Sequence, residues 1–298
     1  MTNIQTITQF HRLTSLPEPL HPLVSVARTE QCRYQADGTW DQFITQFYCI
    51  ALKREVKGKL KYGQQSYDYD TGIMSFTAPR QVQSLDLSTI ECGAGLLLFF
   101  HPDLLLKYPL AKAITQYGFF SYAVNEALHL SANEEADVID IINKIEKESV
   151  HIDRHTQDII VSQIDLLLSY SNRFYERQFF TRKNNQGGLL TRFEAFVDAY
   201  FSNGEPGTKG LLTVQQVAAA LHLSPNYLGD MLRTLTGMNA QQHIHEKLIQ
   251  YAKEKLSTTS LSVSEIAYEL GFEHSQSFSK LFKTKTNLSP KEFRQSFN

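Results

Sequence analysis

The feature that most constrains the fold is a repeat in the last third of the chain, in which one apolar pattern occurs twice at a constant offset. The matched pairs are Val214 and Val263, Val217 and Ile266, Ala218 and Ala267, Leu221 and Leu270, His222 and Gly271, and Leu223 and Phe272. After one inserted residue, Leu228, Met231 and Leu232 match Phe278, Leu281 and Phe282, and Gly237 matches Asn287. Such self-similarity predicts two copies of one supersecondary unit.

Each copy has the pattern of two short helices joined by a tight turn. In the second copy, a helix with the small residue Ala267 on its apolar face ends at Gly271, where a left-handed cap favours a residue without a Cβ atom. The next helix begins near His274 and places Phe278, Leu281 and Phe282 on its inner face. This arrangement is typical of a helix-turn-helix.

The polar residues of both second helices are predicted to face outward, and their hydroxyl, amide and charged groups are the types that contact bases and phosphates. The predicted DNA contacts are Asn226, Tyr227, Asp230 and Arg233 in the first copy, and Ser275, Gln276, Ser279, Lys280, Lys283 and Lys285 in the second. Gln276 suits adenine, Lys280 suits guanine, and Asp230 can accept a hydrogen bond from cytosine. Lys283 and Lys285 are predicted phosphate contacts.

One copy alone could be a helical hairpin with a solvated polar face. Two copies bridged by one helix, Gln241 to Leu256, favour tandem readers of successive major grooves, about 34 Å apart. From His274 to the end there are four Lys and one Arg against one Glu, so positive charge gathers near the second reader.

Five segments carry a likeness to a known family: residues 212–218, 224–228, 266–272, 277–283 and 288–294. They resemble the DNA-binding domain of the AraC/XylS family of bacterial transcription regulators, over about a third of the chain. Three departures concern the base contacts of the first copy rather than the fold. His222 stands where Gly is frequent, Gly229 and Asp230 stand where long polar side chains are frequent, and Leu248 replaces a common Arg.

The fold class predicted for the whole chain is α+β, with short β segments before residue 100 and helices after it. Turn residues separate short strands around Val24, Tyr48, Ile73 and Leu97, which indicates a sandwich or small barrel. The family resemblance implies a cupin-like barrel here. Residues 1 to about 20 suggest an extended arm, and the nine aromatic residues from Tyr34 to Phe76 are either core or the wall of a small-molecule pocket.

The predicted domains are a sensor at 1–120, a helical region at 121–183, a linker at 184–188 and the DNA-binding domain at 189–298. Helices are expected from Ser131 and over residues 153–180. The resemblance implies that the helical region mediates a homodimer; the alternative is that these helices cover their own domain. It also implies a small-molecule effector and, for an activator, RNA polymerase as a partner.

Composition places the protein in the soluble, cytoplasmic class. The 42% hydrophobic and 20% charged content is ordinary, and the net charge of −2 argues against a protein that coats nucleic acid over its whole surface. Cys32, Cys49 and Cys92 lack metal spacing and are expected to be reduced core thiols. The longest apolar run, residues 93–100, is too short to span a bilayer.

No cofactor, catalytic metal or catalytic residue is predicted. Metal-binding cupins require converging imidazoles, and no His-x-His occurs between residues 22 and 100. The predicted function is a sequence-specific transcription regulator that responds to a small molecule. Two alternatives stay open: a DNA-targeted modification enzyme, and a ligand-binding protein whose helical tail binds another protein.

Overall fold

The computed structural model describes residues 1–54, 61–62, 65–66, 72–85, 87, 94–123, 126–185 and 188–296, with the backbone alone described at 61–62, 65–66 and 181–185. The chain divides into an N-terminal unit, Met1–Gln178, and a C-terminal unit, Phe179–Asn298. Cys92, which was predicted to be a core thiol, lies outside the described residues, as do Tyr67 and Tyr69 of the aromatic set.

Short strands dominate the first half of the N-terminal unit. They are β1 (Thr2–Ile4), β2 (Val24–Arg28), β3 (Phe43–Thr45), β4 (Tyr48–Lys53), β5 (Lys61–Tyr62), β6 (Gln65–Ser66), β7 (Ile73–Thr77), β8 (Gly95–Phe100) and β9 (Leu128–His129). Five of them form an antiparallel sheet in the order β2-β8-β4-β7-β9. β1 pairs in parallel with β3, and β5 pairs with β6.

A closed cupin-like barrel is not found among the described strands. Within the described residues, β2 and β9 form the two edges of the five-stranded sheet, so this sheet is open. β9 has only two residues, which pair with Ile73 and Met74 of β7 and extend the sheet no further. The apolar run predicted as a strand is confirmed as β8, whose six residues are all buried and which lies between β2 and β4.

An aromatic core forms in the N-terminal unit, between strands of the five-stranded sheet and the segment that carries β1 and helix α1 (Ile7–Leu13). Its members are Ile4, Ile7, Phe10, Leu16, Ala27, Cys32, Trp40, Phe43, Phe47, Ala51, Leu97 and Phe99. Trp40, Phe43 and Phe47 are therefore core residues, which confirms the core reading for these three. The extended arm predicted for the first twenty residues is wrong, because Ile7 and Phe10 have helical spacing and bury one face of α1.

Helix α2 (Leu110–Ala113) lies between β8 and β9 in the chain, and α3 (Ala132–Glu148) and α4 (Thr156–Asn185) follow β9. Ser131 caps α3 in a capping box with Glu134, as its sequence position predicted. The stripe Val138, Ile141, Ile142 and Ile145 is buried, and each such side chain stabilises the fold by about 1.5–3 kcal/mol. Ion pairs join Arg28 of β2 to Glu146 of α3 (2.8 Å) and Arg177 of α4 to Glu134 of α3 (2.8 Å), so α3 is attached to both elements.

The C-terminal unit is helical. Its helices are α5 (Leu189–Ser202), α6 (Pro206–Lys209), α7 (Val214–Leu221), α8 (Pro225–Thr236), α9 (Ala240–Thr258), α10 (Val263–Glu269), α11 (Ser275–Thr286) and α12 (Pro290–Gln295). The C-terminal fold class is thus confirmed: two pairs of short helices, α7–α8 and α10–α11, are joined by the bridging helix α9. Helix α4 continues to Asn185, into the range predicted as a linker.

Candidate nucleic-acid interface

The first helix-turn-helix comprises α7, the turn at His222 and α8. Thr213 and Gln216 form a capping box at the start of α7. His222 adopts the left-handed conformation (φ 59°) that is usually filled by Gly, and His tolerates it better than most residues. The Leu223 amide donates to the Ala218 carbonyl (2.9 Å), which closes the turn.

The second helix-turn-helix repeats this geometry with different residues. Ser262 and Glu265 form the capping box of α10, and Gly271 occupies the left-handed position (φ 87°). The Phe272 amide donates to the Ala267 carbonyl at the same 2.9 Å distance. The sequence repeat had paired Ala218 with Ala267 and Leu223 with Phe272, and the hydrogen bonds confirm that pairing.

The repeat continues past the region that the sequence identified. Both second helices end in a left-handed residue, Gly237 (φ 78°) in α8 and Asn287 (φ 63°) in α11, as predicted. The hydroxyl of the preceding Thr236 accepts from the Met238 amide, and the hydroxyl of Thr286 accepts from the Leu288 amide. In both copies the sequence at this helix end is Thr, then Gly or Asn, then an apolar residue, then Asn or Ser. This pattern could have predicted the shared helix end.

The predicted contacts on α8 divide into accessible and inaccessible side chains. Asn226 and Arg233 are exposed, and Asp230 is half-buried. The prediction that Tyr227 faces outward is wrong: it is 1% exposed, and its ring packs edge-on against Phe179 with centroids 5.1 Å apart. Tyr227 lies four residues before the buried Met231, so the helical period places both side chains on the inner face of α8.

Asp230 and Arg233 form an ion pair on the surface of α8. The Arg233 Nη1 atom donates to Asp230 Oδ1 at 3.0 Å, with the two residues one helical turn apart. The Asp230 carboxylate is therefore already occupied by a cation in this structure. The ion pair restrains the Arg233 guanidinium and leaves the Asp230 carboxylate less free to contact a base.

The predicted contacts on α11 share one accessible surface. Gln276, Lys280, Lys283 and Lys285 are exposed, while Ser275 and Ser279 are half-buried. Phe278 and Phe282 are fully buried on the opposite face, which fixes the rotation of the helix. No acidic partner within the ion-pair distance is found for these lysines among the described residues.

A histidine on the bridging helix adjoins this surface and was not singled out from the sequence. Burial, and next the positive charge of Lys285, lower the pKa of His245 below its ordinary value. Gln241 lies within hydrogen-bonding distance of the ring, with Nε2 atoms 2.8 Å apart. The Lys285 ammonium of α11 is therefore close enough to His245 of α9 for its charge to act on the imidazole. Leu248, the departure from the family pattern in α9, is buried.

The described part of the chain also bears on metal sites, reactive thiols and membrane-spanning helices. No group of three or more His, Cys, Asp and Glu residues there could hold a metal ion. Cys32 is buried. Burial of the Cys49 thiol, and next the charge effect of the nearby Cys32, raise the pKa of Cys49 to about 12. A thiol of that pKa is a poor nucleophile at neutral pH. Among the described helices, none has the length and apolar character required to cross a membrane.

Two helix-turn-helix motifs on one bridging helix, each with a polar outer face, define a tandem helix-turn-helix DNA-binding module. A family model described as a helix-turn-helix domain matches residues 217–296. The C-terminal region of this chain is an AraC-type helix-turn-helix domain.

Relatives with this domain match parts of the chain. An uncharacterized HTH-type transcriptional regulator, YijO of Escherichia coli (strain K12), is 27% identical over 146 residues, 49% of this chain and 48% of its own. The HTH-type transcriptional activator RhaR of Enterobacter sp. (strain 638) is 26% identical over 165 residues, 55% of this chain and 56% of its own. The matches thus span about half the length of these relatives.

Among solved structures, the C-terminal domain of the two-component response regulator yesN from Fusobacterium nucleatum subsp. nucleatum is 28% identical. The match covers 34% of this chain and 96% of the yesN domain, with a TM-score of 0.30.

Proposed function

We propose that this protein is a sequence-specific DNA-binding transcription regulator. The observation that carries the proposal is the repetition of one helix-turn-helix geometry, with the same left-handed turn and the same closing hydrogen bond, on both sides of α9. Two equivalent readers on one rigid bridge suit a site made of two half-motifs about one helical turn, or 34–36 Å, apart.

Each reader offers a different set of groups to DNA. Asn226 and Arg233 are the exposed candidates on α8, with Asp230 restraining Arg233. Gln276 and Lys280 are the base-reading candidates on α11, and the half-buried Ser275 and Ser279 stay candidates for contacts to bases or phosphates. Lys283 and Lys285 remain phosphate candidates.

The N-terminal unit is the proposed sensor. Its support is the existence of a separate folded unit and a shallow depression beside Trp40, lined by Ala36, Gly38, Asp41, Ser84, Leu85 and Leu87. The effector proposed is a small molecule. RNA polymerase is the proposed further partner if the protein activates transcription. A homodimer formed through the helical region 121–183 is the oligomeric state that the family resemblance implies, and sedimentation equilibrium of the full chain tests it.

The direct test is selection of bound sequences from a random duplex library with the full chain. The proposal predicts an enriched site with two dissimilar half-motifs one helical turn apart, and affinity that falls steeply with salt. Absence of enrichment, with weak binding to all sequences, would contradict it. That outcome would favour the alternative of a ligand-binding protein whose helical tail binds a protein partner.

A further inference from the structure

The turn of the second helix-turn-helix packs directly against the loop that leads into the first. Gly271 forms this turn, and a Cβ atom built there would lie 2.6 Å from the carbonyl carbon of Gly210 and 2.8 Å from its oxygen. It would also lie 2.8 Å from the amide nitrogen of Leu211. Backbone meets backbone here, so no side chain can move aside to make room.

The loop on the other side of this contact is itself held in place. Gly210 ends α6 in a left-handed conformation (φ 80°). The hydroxyl of Tyr200, a buried residue of α5, donates to the Gly210 carbonyl oxygen at 2.9 Å. The chain then passes through the buried Leu212 to Thr213, the cap of α7. Gly210, on one side of the contact, is therefore only three residues before the cap of the first helix-turn-helix.

The bridging helix α9 also joins the two helix-turn-helix motifs. Lys255 of α9 pairs with Glu269 of α10 (2.7 Å), and the Arg294 Nε atom of α12 donates to the Leu256 carbonyl (3.2 Å). The lysine pair is partly exposed and contributes little rigidity. A second, backbone-to-backbone attachment on another side of α10 restricts rotation of α10 and α11 about that bridge.

We propose that the Gly210–Gly271 contact sets the orientation of the second recognition helix relative to the first, and so fixes the spacing of half-motifs that the protein accepts. This inference rests on the proposed function. It makes Gly271 a positioning residue that touches no DNA. A shift of one base pair moves a half-motif by about 3.4 Å along the duplex, so a small reorientation of α11 changes which spacing fits.

The chain supplies a matched control. Gly271→Ala introduces both left-handed strain and the clash with Gly210. Gly237→Ala introduces the strain alone, because Gly237 has a similar φ (78° against 87°) and a Cβ atom there meets nothing within 4 Å. Tyr200→Phe is a milder variant that keeps the buried ring but removes the hydrogen bond to the loop.

The test measures full-chain binding to duplexes that carry the selected half-motifs at the selected spacing, or one base pair closer or farther. Wild type and Gly237→Ala, compared at equal folded fraction, should keep a strong preference for one spacing. Gly271→Ala should lose most of that preference, and Tyr200→Phe should lose part of it. Equal preference in wild type and Gly271→Ala, or equal loss in Gly237→Ala, would overturn the inference.

A second arm requires no DNA. Spin labels carried on unnatural amino acids at Ala220 and Thr284, both exposed, report the distance between the two helix-turn-helix motifs in the full chain. Gly271→Ala should shift or broaden this distance distribution, and Gly237→Ala should not. An unchanged distribution in Gly271→Ala would overturn the coupling even if the protein binds DNA. A changed distribution in a protein that selects no DNA site would support the coupling and contradict the proposed function.

Discussion

The ring of Phe179, near the end of α4, packs edge-on against Tyr227 in the first turn of α8, with centroids 5.1 Å apart and ring planes at 78°. Phe179 is 3% exposed and Tyr227 is 1% exposed. Both residues belong to the C-terminal unit, so this unit begins ten residues before the boundary at Leu189 that the sequence predicted.

We expect Phe179→Ala to destabilise the C-terminal unit by about 3–5 kcal/mol, because it removes a buried aromatic ring that packs against Tyr227. Hydrogen exchange of the full chain checks this, and α8 amides should lose the most protection. Phe180→Ala is the matched control, since the neighbouring ring is 51% exposed. Equal loss of protection in both variants would contradict a role for the Phe179–Tyr227 contact, and a fragment that begins at residue 189 should show the same defect as Phe179→Ala.

Asp230→Ala separates two roles for this carboxylate. The Asp230–Arg233 pair is partly exposed and contributes at most about 1 kcal/mol to folding, so stability should change little. If Asp230 restrains Arg233, its loss should weaken discrimination at the base that Arg233 reads, by up to about 1–3 kcal/mol. Competition binding with single-base variants of the selected site measures this. Loss of preference for a cytosine at a separate position, with discrimination by Arg233 intact, would instead support a direct Asp230 contact.

Lys283→Ala and Lys285→Ala should each reduce the slope of log affinity against log salt by about one, because each removes one phosphate contact. The loss of affinity should be the same for specific and random duplexes. Lys144→Ala, a change on α3 in the N-terminal unit, is the control and should leave the slope unchanged. A loss confined to one sequence would make the lysine a base contact.

His11 should make the N-terminal unit less stable in acid. Its Nδ1 atom lies against the Pro17 carbonyl and its Nε2 atom is 3.0 Å from Ser25 Oγ, and burial lowers its pKa below the ordinary 6.5. Since the unfolded chain binds the proton at higher pH than the folded chain, stability is greatest above about pH 6.5 and falls as pH decreases towards the folded pKa.

Fluorescence of Trp40, the chain's single tryptophan, follows unfolding of this core, because its buried ring lies 5.9 Å from that of Phe10. His11→Gln should flatten the change in midpoint temperature between pH 7.5 and 5.5, although His21, whose pKa burial also lowers, retains part of it. His155→Gln, at an exposed position, should leave the change as it is. An unaltered pH dependence in His11→Gln would contradict this account.

The C-terminal unit could be predicted from sequence because its signals are local. Capping boxes such as Ser262 with Glu265, a left-handed residue such as Gly271 and apolar spacing within a turn of helix all lie within a few residues. The helical spacing of Tyr227 with the buried Met231 is a local signal for its inner position, but its partner Phe179 could not be predicted in this way, because Phe179 lies far away in sequence. Likewise, nothing near Gly271 indicates that Gly210 is its neighbour.

The N-terminal unit was predicted less well for the same reason. Individual strands such as β8 could be found from their apolar runs, but their order, β2-β8-β4-β7-β9, depends on pairings between distant segments. The arm predicted before Pro19 failed because the helical spacing of Ile7 and Phe10 extends over only two turns.

The central claim is that α8 and α11 read separate half-motifs of one site. The most direct measurement is sequence selection with the full wild-type chain, Arg233→Ala and Lys280→Ala in parallel. The account predicts that Arg233→Ala relaxes base preference in one half-motif only, and Lys280→Ala in the other only, each by about 1–3 kcal/mol at the affected position. Relaxation of the same half-motif by both variants, or uniform weakening without any change in preference, would contradict it.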